Sequence, residues 1–279
     1  MRVLEVVAPA AAGRRAVDLW VTLPRGARRR DHRPLGLPST TTRVEVPRGG
    51  EIVVEIWGED DAPVVYLMHG WGGWRGQLGA FVAPLVAAGY RVVAPDAPSH
   101  GESGPGFLGP GRGAVMELIE ALEATGARFG PAAGVVAHSL GSTAAAEAIR
   151  SSLHVERLVL VAPNHGFEDL VEQFATVLAL RPRTADHLRG ALTSATGRPL
   201  RSFDLDVVGA AGDMPATLVA HDRADRETPY RVAEAVVAAW PGARLVSTDG
   251  LGHQRILTDP GVVAAAVAHV VGPEPTPGR

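Results

Sequence analysis

Two short stretches of this 279-residue chain carry the residue types that attack on a carbonyl group needs. Ala137-His138-Ser139-Leu140-Gly141 follows a buried-strand run and precedes an Ala-rich helical pattern. A serine at such a strand-to-helix turn presents its hydroxyl at the end of the strand, and the positive end of the next helix favours negative charge developing there. The turn crowds the backbone, so small neighbours are required, and Ala137 and Gly141 supply them. Ser139 taken alone reads equally well as the N-cap of that helix. Upstream, Val64-Val65-Tyr66-Leu67-Met68 runs into His69-Gly70-Trp71-Gly72-Gly73. A strand ending in a glycine-rich loop can turn backbone N–H groups toward an oxyanion.

Together these motifs resemble the α/β-hydrolase superfamily, in its serine-nucleophile, esterase- and lipase-like form, with Ala137 where the first glycine of the elbow is usual. The resemblance implies Ser139 as nucleophile and an oxyanion hole made by the backbone N–H groups of Trp71 and Leu140. It also brings Trp71 and Trp74 forward as walls of an acyl pocket, with core packing the competing role for Trp74. The segment from Arg91 to Ser103 is similar to the family's Asp-x-Pro-Gly-His-Gly-x-Ser turn, with Ser99 at the common glycine. Asp96 and His100 within it could exchange a proton but are expected to brace the turn. His221-Asp222-Arg223-Ala224-Asp225, running on to Pro229, resembles the family's His-Gly-x-x-Asp-x-x-Val-Pro and puts Asp225 at the catalytic acid. Asp222 replaces a glycine there, which makes it a rival carboxylate, expected to hold the turn. Asp249-Gly250-Leu251-Gly252-His253 matches the family's Gly-His loop and nominates His253 as the base. The chain order Ser, Asp, His is that of this fold.

Positioning these groups requires a sheet. Apolar, β-branched runs occur at 43–46, 51–57, 64–68, 91–94, 134–137, 157–161, 217–220 and 244–247. The first two are separated only by a Pro-Arg-Gly-Gly turn and predict an antiparallel hairpin. Helical patterns at 77–88, 113–125, 141–151, 230–239 and 261–271 separate most of the others. Such alternation predicts an α/β fold: a mainly parallel, eight-stranded sheet with helices on both faces. Between the sixth and seventh strands, residues 164–215 break the rhythm as a short helical lid insertion. Phe167, Leu170, Val171, Phe174 and Leu178 share one face there, so Phe167 and Phe174 are candidate pocket residues as well as candidate core. The expected organisation is an N-terminal extension (1–41) with a helix at 12–21, a hydrolase domain (42–271) and a disordered tail (272–279).

Composition narrows the chemistry. With 46% hydrophobic and 20% charged residues the chain can bury a sizeable core. Zero Cys excludes disulfides and thiolate nucleophiles. A net charge of −3 gives no nucleic-acid surface, and no apolar run approaches a membrane span of ~18 residues. The arginines at 25, 28, 29, 30 and 33 could meet an anionic partner but read as a solvated loop. Residues 1–12 have a faint signal-peptide look that Glu5 interrupts, so a cytoplasmic location is expected. No metal-ligand spacing or phosphate loop is present, which implies no cofactor. The resemblance therefore implies a hydrolase acting on a small-molecule ester, thioester or lactone with water. A serine rather than a carboxylate at position 139 argues against haloalkane dehalogenases and epoxide hydrolases of this fold. C–C hydrolases, acyltransferases and non-hydrolytic receptors share the same three residues and stay open.

Overall fold

A computed structural model describes residue 5 and residues 8–24, 36–48, 50–164, 166–210 and 214–272. The arginine-rich stretch, most of the first seven residues and the tail beyond Gly272 lie outside those residues. The strands are β1 (Thr40–Glu45), β2 (Glu51–Trp57), β3 (Val64–Met68), β4 (Arg91–Pro95), β5 (Ala132–His138), β6 (Val155–Val161), β7 (Ala216–Asp222) and β8 (Arg244–Thr248). The helices are α1 (Pro9–Val21), α2 (Gly79–Ala87), α3 (Val115–Phe129), α4 (Leu140–Ser151), α5 (Phe167–Val177), α6 (Pro182–Thr196), α7 (Leu205–Ala210), α8 (Arg231–Ala239), α9 (Gly252–Arg255) and α10 (Pro260–Val271).

The eight strands form one sheet in the order β1-β2-β4-β3-β5-β6-β7-β8. β1 pairs with β2, and β2 with β4, in antiparallel fashion. Every other pairing is parallel. This is the α/β-hydrolase fold. Side chains alternate across the sheet with a period of two residues. Tyr66, Met68, Val135, Ala137, Leu158 and Leu160 pack in one apolar cluster with Leu118 and Leu122 of α3 and Ala144 and Ala145 of α4. Val65, Leu67, Val136, Val159 and Val161 enter a second with Phe81 and Leu85 of α2 and Val263 and Val270 of α10. Central strands covered on both faces have no polar side to offer, which is why β3 is buried at all five positions.

Helix boundaries follow local chemistry. Glu117 accepts the Ala114 N–H at 3.0 Å and opens α3, while Gly130, at φ 92°, ends it. Asp259 caps α10 by accepting the Val262 N–H at 2.9 Å, with Pro260 in the first turn. Between β6 and β7 the chain builds α5, α6, a 3-10 turn (Leu200–Phe203) and α7. The apolar stripe of α5 faces inward with graded burial: Phe167 and Val171 are buried, and Leu170 and Phe174 are half-buried.

Parallel strands share one carboxyl-end edge, so the loops after β3, β5, β7 and β8 all leave the sheet on the same side. Register aligns them. Met68 stands opposite Ala137, His138 opposite Val161, Val161 opposite Ala220 and Asp222 opposite Thr248.

Candidate active site

Ser139 adopts φ 51° and ψ −125°, a left-handed conformation that costs a non-glycine residue about 1–3 kcal/mol. Its surroundings enforce it. The Ser139 N–H donates to the Val161 carbonyl at 3.1 Å, and its own carbonyl accepts the Ser142 N–H at 2.8 Å. A methyl group on Gly141 would lie 2.5 Å from the His69 oxygen, and one on Gly70 would lie 2.8 Å from Ser139 Cβ. Glycine at both positions therefore lets the elbow press directly onto the loop after β3. The Ser139 side chain remains half-buried rather than sealed in the core.

The loop after β3 is held by its histidines. The Ala97 N–H donates to His69 Nε2 at 3.0 Å, which leaves the ring proton on Nδ1 to donate to the Gly70 carbonyl at 2.8 Å. The Gly73 N–H donates to that same carbonyl at 3.0 Å. The Gly70 carbonyl and the Trp71 N–H belong to one peptide plane, so fixing the first aims the second the opposite way. The Gly72 N–H donates to His100 Nε2 at 3.1 Å, and His100 Nδ1 donates to the Pro98 carbonyl at 2.8 Å. Burial holds both rings neutral, with His69 pushed down to about 4 and His100 to about 3. Among the described residues, neither the Trp71 nor the Leu140 N–H donates to a turn or loop carbonyl.

Arg75 fastens the far end of this loop. Its side chain, 3% exposed, forms ion pairs with Glu55 at 2.9 Å and with Asp96 and Glu102. Its backbone N–H also donates to Asp96 Oδ1 at 2.7 Å. Asp96 further accepts the Glu102 N–H at 2.9 Å. The turn-bracing expected of Asp96 and His100 thus takes a concrete form: Asp96 grips Arg75, and His100 grips Gly72.

Asp225 and His253 meet at the end of the sheet. His253 Nδ1 donates to Asp225 Oδ2 at 2.8 Å. The same oxygen accepts Thr228 Oγ1–H at 3.0 Å and has His221 Nε2 at 3.4 Å. Asp225 Oδ1 takes the N–H groups of Glu227 and Thr228 at 2.8 and 3.0 Å. Burial opposes the charge, but donation from His221, His253 and Thr228 outweighs it and holds the carboxyl well below the usual range. With its proton on Nδ1, neutral His253 keeps a free lone pair on Nε2, 3.9 Å from Glu227 Oε2. His138 lies beneath it: ring centroids are 4.7 Å apart, and His138 Nε2 donates to the His253 carbonyl at 3.1 Å. The elbow and the histidine loop are therefore joined by a hydrogen bond from the residue next to Ser139.

A family described as the alpha/beta hydrolase family matches residues 64–266. The chain belongs to this family. An AB hydrolase superfamily protein of Bacillus subtilis, YfhM, is 49% identical over 43 residues, a match that spans 14% of either chain. The pimeloyl-[acyl-carrier protein] methyl ester esterase of Aromatoleum aromaticum is 28% identical over 255 residues, covering 75% of this chain and 98% of that protein. The solved esterase from Exiguobacterium antarcticum superposes with a TM-score of 0.62 at 17% identity, over 84% of this chain and 100% of that one, a likeness of fold.

In this α/β-hydrolase a cleft of about 400 Å³ opens beside Asp225, lined also by Asp169, Glu172, Gln173, Arg226, Glu227, Pro229 and Arg231. The candidate pocket residues are spread more widely. Trp74 is half-buried at the head of the 3-10 turn Arg75–Leu78. Phe167 packs inside the insertion, its ring 5.6 Å from that of Phe203. Phe174 is half-buried and meets Trp20 edge-on at 5.2 Å. Sequence reasoning missed Thr228, His221, Arg75 and His69 as groups that hold the site. The histidine ahead of the glycine-rich loop was a visible signal, whereas Arg75 carried none. Among the described residues, no helix is long and apolar enough to cross a membrane.

Proposed function

We propose that this α/β-hydrolase cleaves a small-molecule carboxylic ester through an acyl-enzyme on Ser139, with thioesters and lactones as related substrates. The reading rests on the hydrogen bond from His253 Nδ1 to a carboxylate held ionised, 2.8 Å long, which leaves the Nε2 lone pair to act as a base. In the first step Ser139 Oγ forms a bond to the carbonyl carbon and its proton passes to His253 Nε2. Asp225 stabilises the resulting imidazolium and keeps the ring in its productive tautomer. The amides of Trp71 and Leu140 receive the oxyanion, each such donor typically worth about 3 kcal/mol. His253 returns the proton to the departing alkoxide as the ester C–O bond breaks. Water, deprotonated by His253, then attacks the acyl carbon, and Ser139 leaves with the proton.

Similarity to an esterase acting on a methyl ester supports an oxygen ester as the first class to test. Steady-state hydrolysis of p-nitrophenyl esters of graded acyl length, alongside thioesters and lactones, is the experiment. Multiple turnovers on at least one ester by the wild type, lost in Ser139→Ala, are expected. Turnover limited to one equivalent, or undiminished in the variant, would refute the proposal.

A further inference from the structure

The turn that carries Asp225 holds a second carboxylate, and this one faces the nitrogen that moves the proton. Glu227 follows Asp225 by two residues in Asp225-Arg226-Glu227-Thr228-Pro229. The Glu227 and Thr228 N–H groups donate to Asp225 Oδ1 at 2.8 and 3.0 Å, so the acid itself pins the turn. From there the Glu227 side chain reaches toward the imidazole, with Oε2 3.9 Å from His253 Nε2. That spacing is too long for a hydrogen bond and leaves the Nε2 position to a substrate atom. Among the described residues Glu227 pairs with no arginine, although Arg226 and Arg231 line the same cleft. Arg231 is instead paired with Asp169 at 3.6 Å.

The cleft of about 400 Å³ is shared between this turn and α5, which contributes Asp169, Glu172 and Gln173. Its lining holds four carboxylates and two guanidinium groups. A departing alcohol takes its proton from Nε2 and must come within hydrogen-bond reach of it, about 3 Å. The ester oxygen then lies no more than roughly 7 Å from Glu227 Oε2, whatever the direction of approach. The next two or three atoms of the alcohol span that gap. Asp225 is closed to the same role, because its oxygens are filled by His253, Thr228 and the Glu227 N–H.

We propose that Glu227 selects the alcohol half of the ester, favouring leaving groups that carry a positive charge two or three atoms from the ester oxygen. This rests on Ser139 being the nucleophile and His253 the base. An ammonium group there gains the attraction of the carboxylate without competing for Nε2, whereas an anionic alcohol is repelled. The Glu227 side chain is 62% exposed, so the attraction is modest and screened by salt.

The test compares kcat/KM for the choline ester and the 3,3-dimethylbutyl ester of one acyl chain, which share a shape and differ by the charge. The wild type is expected to prefer the choline ester about fivefold at low salt, and to lose that preference at about 1 M salt. Glu227→Gln should bring the ratio close to one, with the loss falling mainly on the choline ester, and Glu227→Lys should bring it below one. Glu234→Gln, which removes a like charge from an exposed position of α8, should leave the ratio at the wild-type value. A ratio unchanged in Glu227→Gln, or an equal loss for both esters, would overturn the proposal. So would a wild-type preference for the neutral ester, since charge selection would then belong to the arginines. Should Glu227→Gln not fold, a ratio unchanged in Glu227→Asp, where the charge is drawn back by one methylene, overturns it equally. Turnover of neither these nor any other ester by the wild type would instead sink the reading of Ser139, and the role of Glu227 with it.

Discussion

Asp222 Oδ2 accepts the Leu251 N–H at 3.0 Å, across from the end of β7 to the loop that carries His253 two residues later. The same oxygen accepts Thr248 Oγ1–H at 2.7 Å, and Oδ1 accepts the Ala224 N–H at 3.0 Å. Burial would raise its pKa, but donation from Thr248 and from the amides of Gly252, Leu251 and Ala224 holds it lowered. Asp222 thus braces two loops at once, whereas the carboxylate that meets the imidazole is Asp225.

That division of labour separates two variants. Asp225→Asn is expected to lower kcat by about 10⁴, because an amide no longer enforces the Nδ1–H tautomer or stabilises the imidazolium. Asp222→Asn should lower the melting temperature while retaining most of kcat. Paired kinetics and thermal melts read both. The opposite ranking in kcat would transfer the acid's role to Asp222.

Glu117 gives stability a pH dependence of its own. Burial raises its pKa from 4.5 to about 7, beyond what its backbone hydrogen bonds offset. Between those values the unfolded chain loses the proton and the folded chain keeps it, so stability present below about pH 4.5 fades as pH rises through about 7. Glu117→Gln resembles the protonated side chain and removes that loss. Its melting temperature, relative to the wild type, should climb between pH 5 and pH 8, as followed by thermal melts across roughly that range. A difference that is flat or falls with pH would contradict the assignment.

Much of the scaffold was legible because its signals are local. Runs such as Val64-Val65-Tyr66-Leu67-Met68 are short, apolar and bounded by glycine and proline, and all eight apolar runs form strands. The stripe on α5 was likewise visible as helical periodicity. The relation of Ser139 to Gly70 could be expected only through the family's motifs, since the close approach that forbids a methyl group depends on the register of β3 with β5. What stayed hidden depends on distant parts of the chain. Nothing near Arg75 announces that Glu55, Asp96 and Glu102 converge on it. Nothing in the sequence around Trp20 points to Phe174, which lies in another helix altogether. Phe167 and Phe174 share a stripe, yet one turns into the insertion toward Phe203 and the other toward α1, a difference set by tertiary packing.

The central claim is that Ser139, strained at φ 51°, is a nucleophile activated by His253 rather than a helix cap. Intact-protein mass spectrometry after treatment with an alkyl fluorophosphonate tests it most directly, because only an activated hydroxyl displaces fluoride and retains the phosphonyl group. One adduct per chain is expected, mapped by peptide sequencing to Ser139, slowed in Asp225→Asn and absent in Ser139→Ala. An adduct that persists in Ser139→Ala, or no adduct in the wild type, would contradict the account.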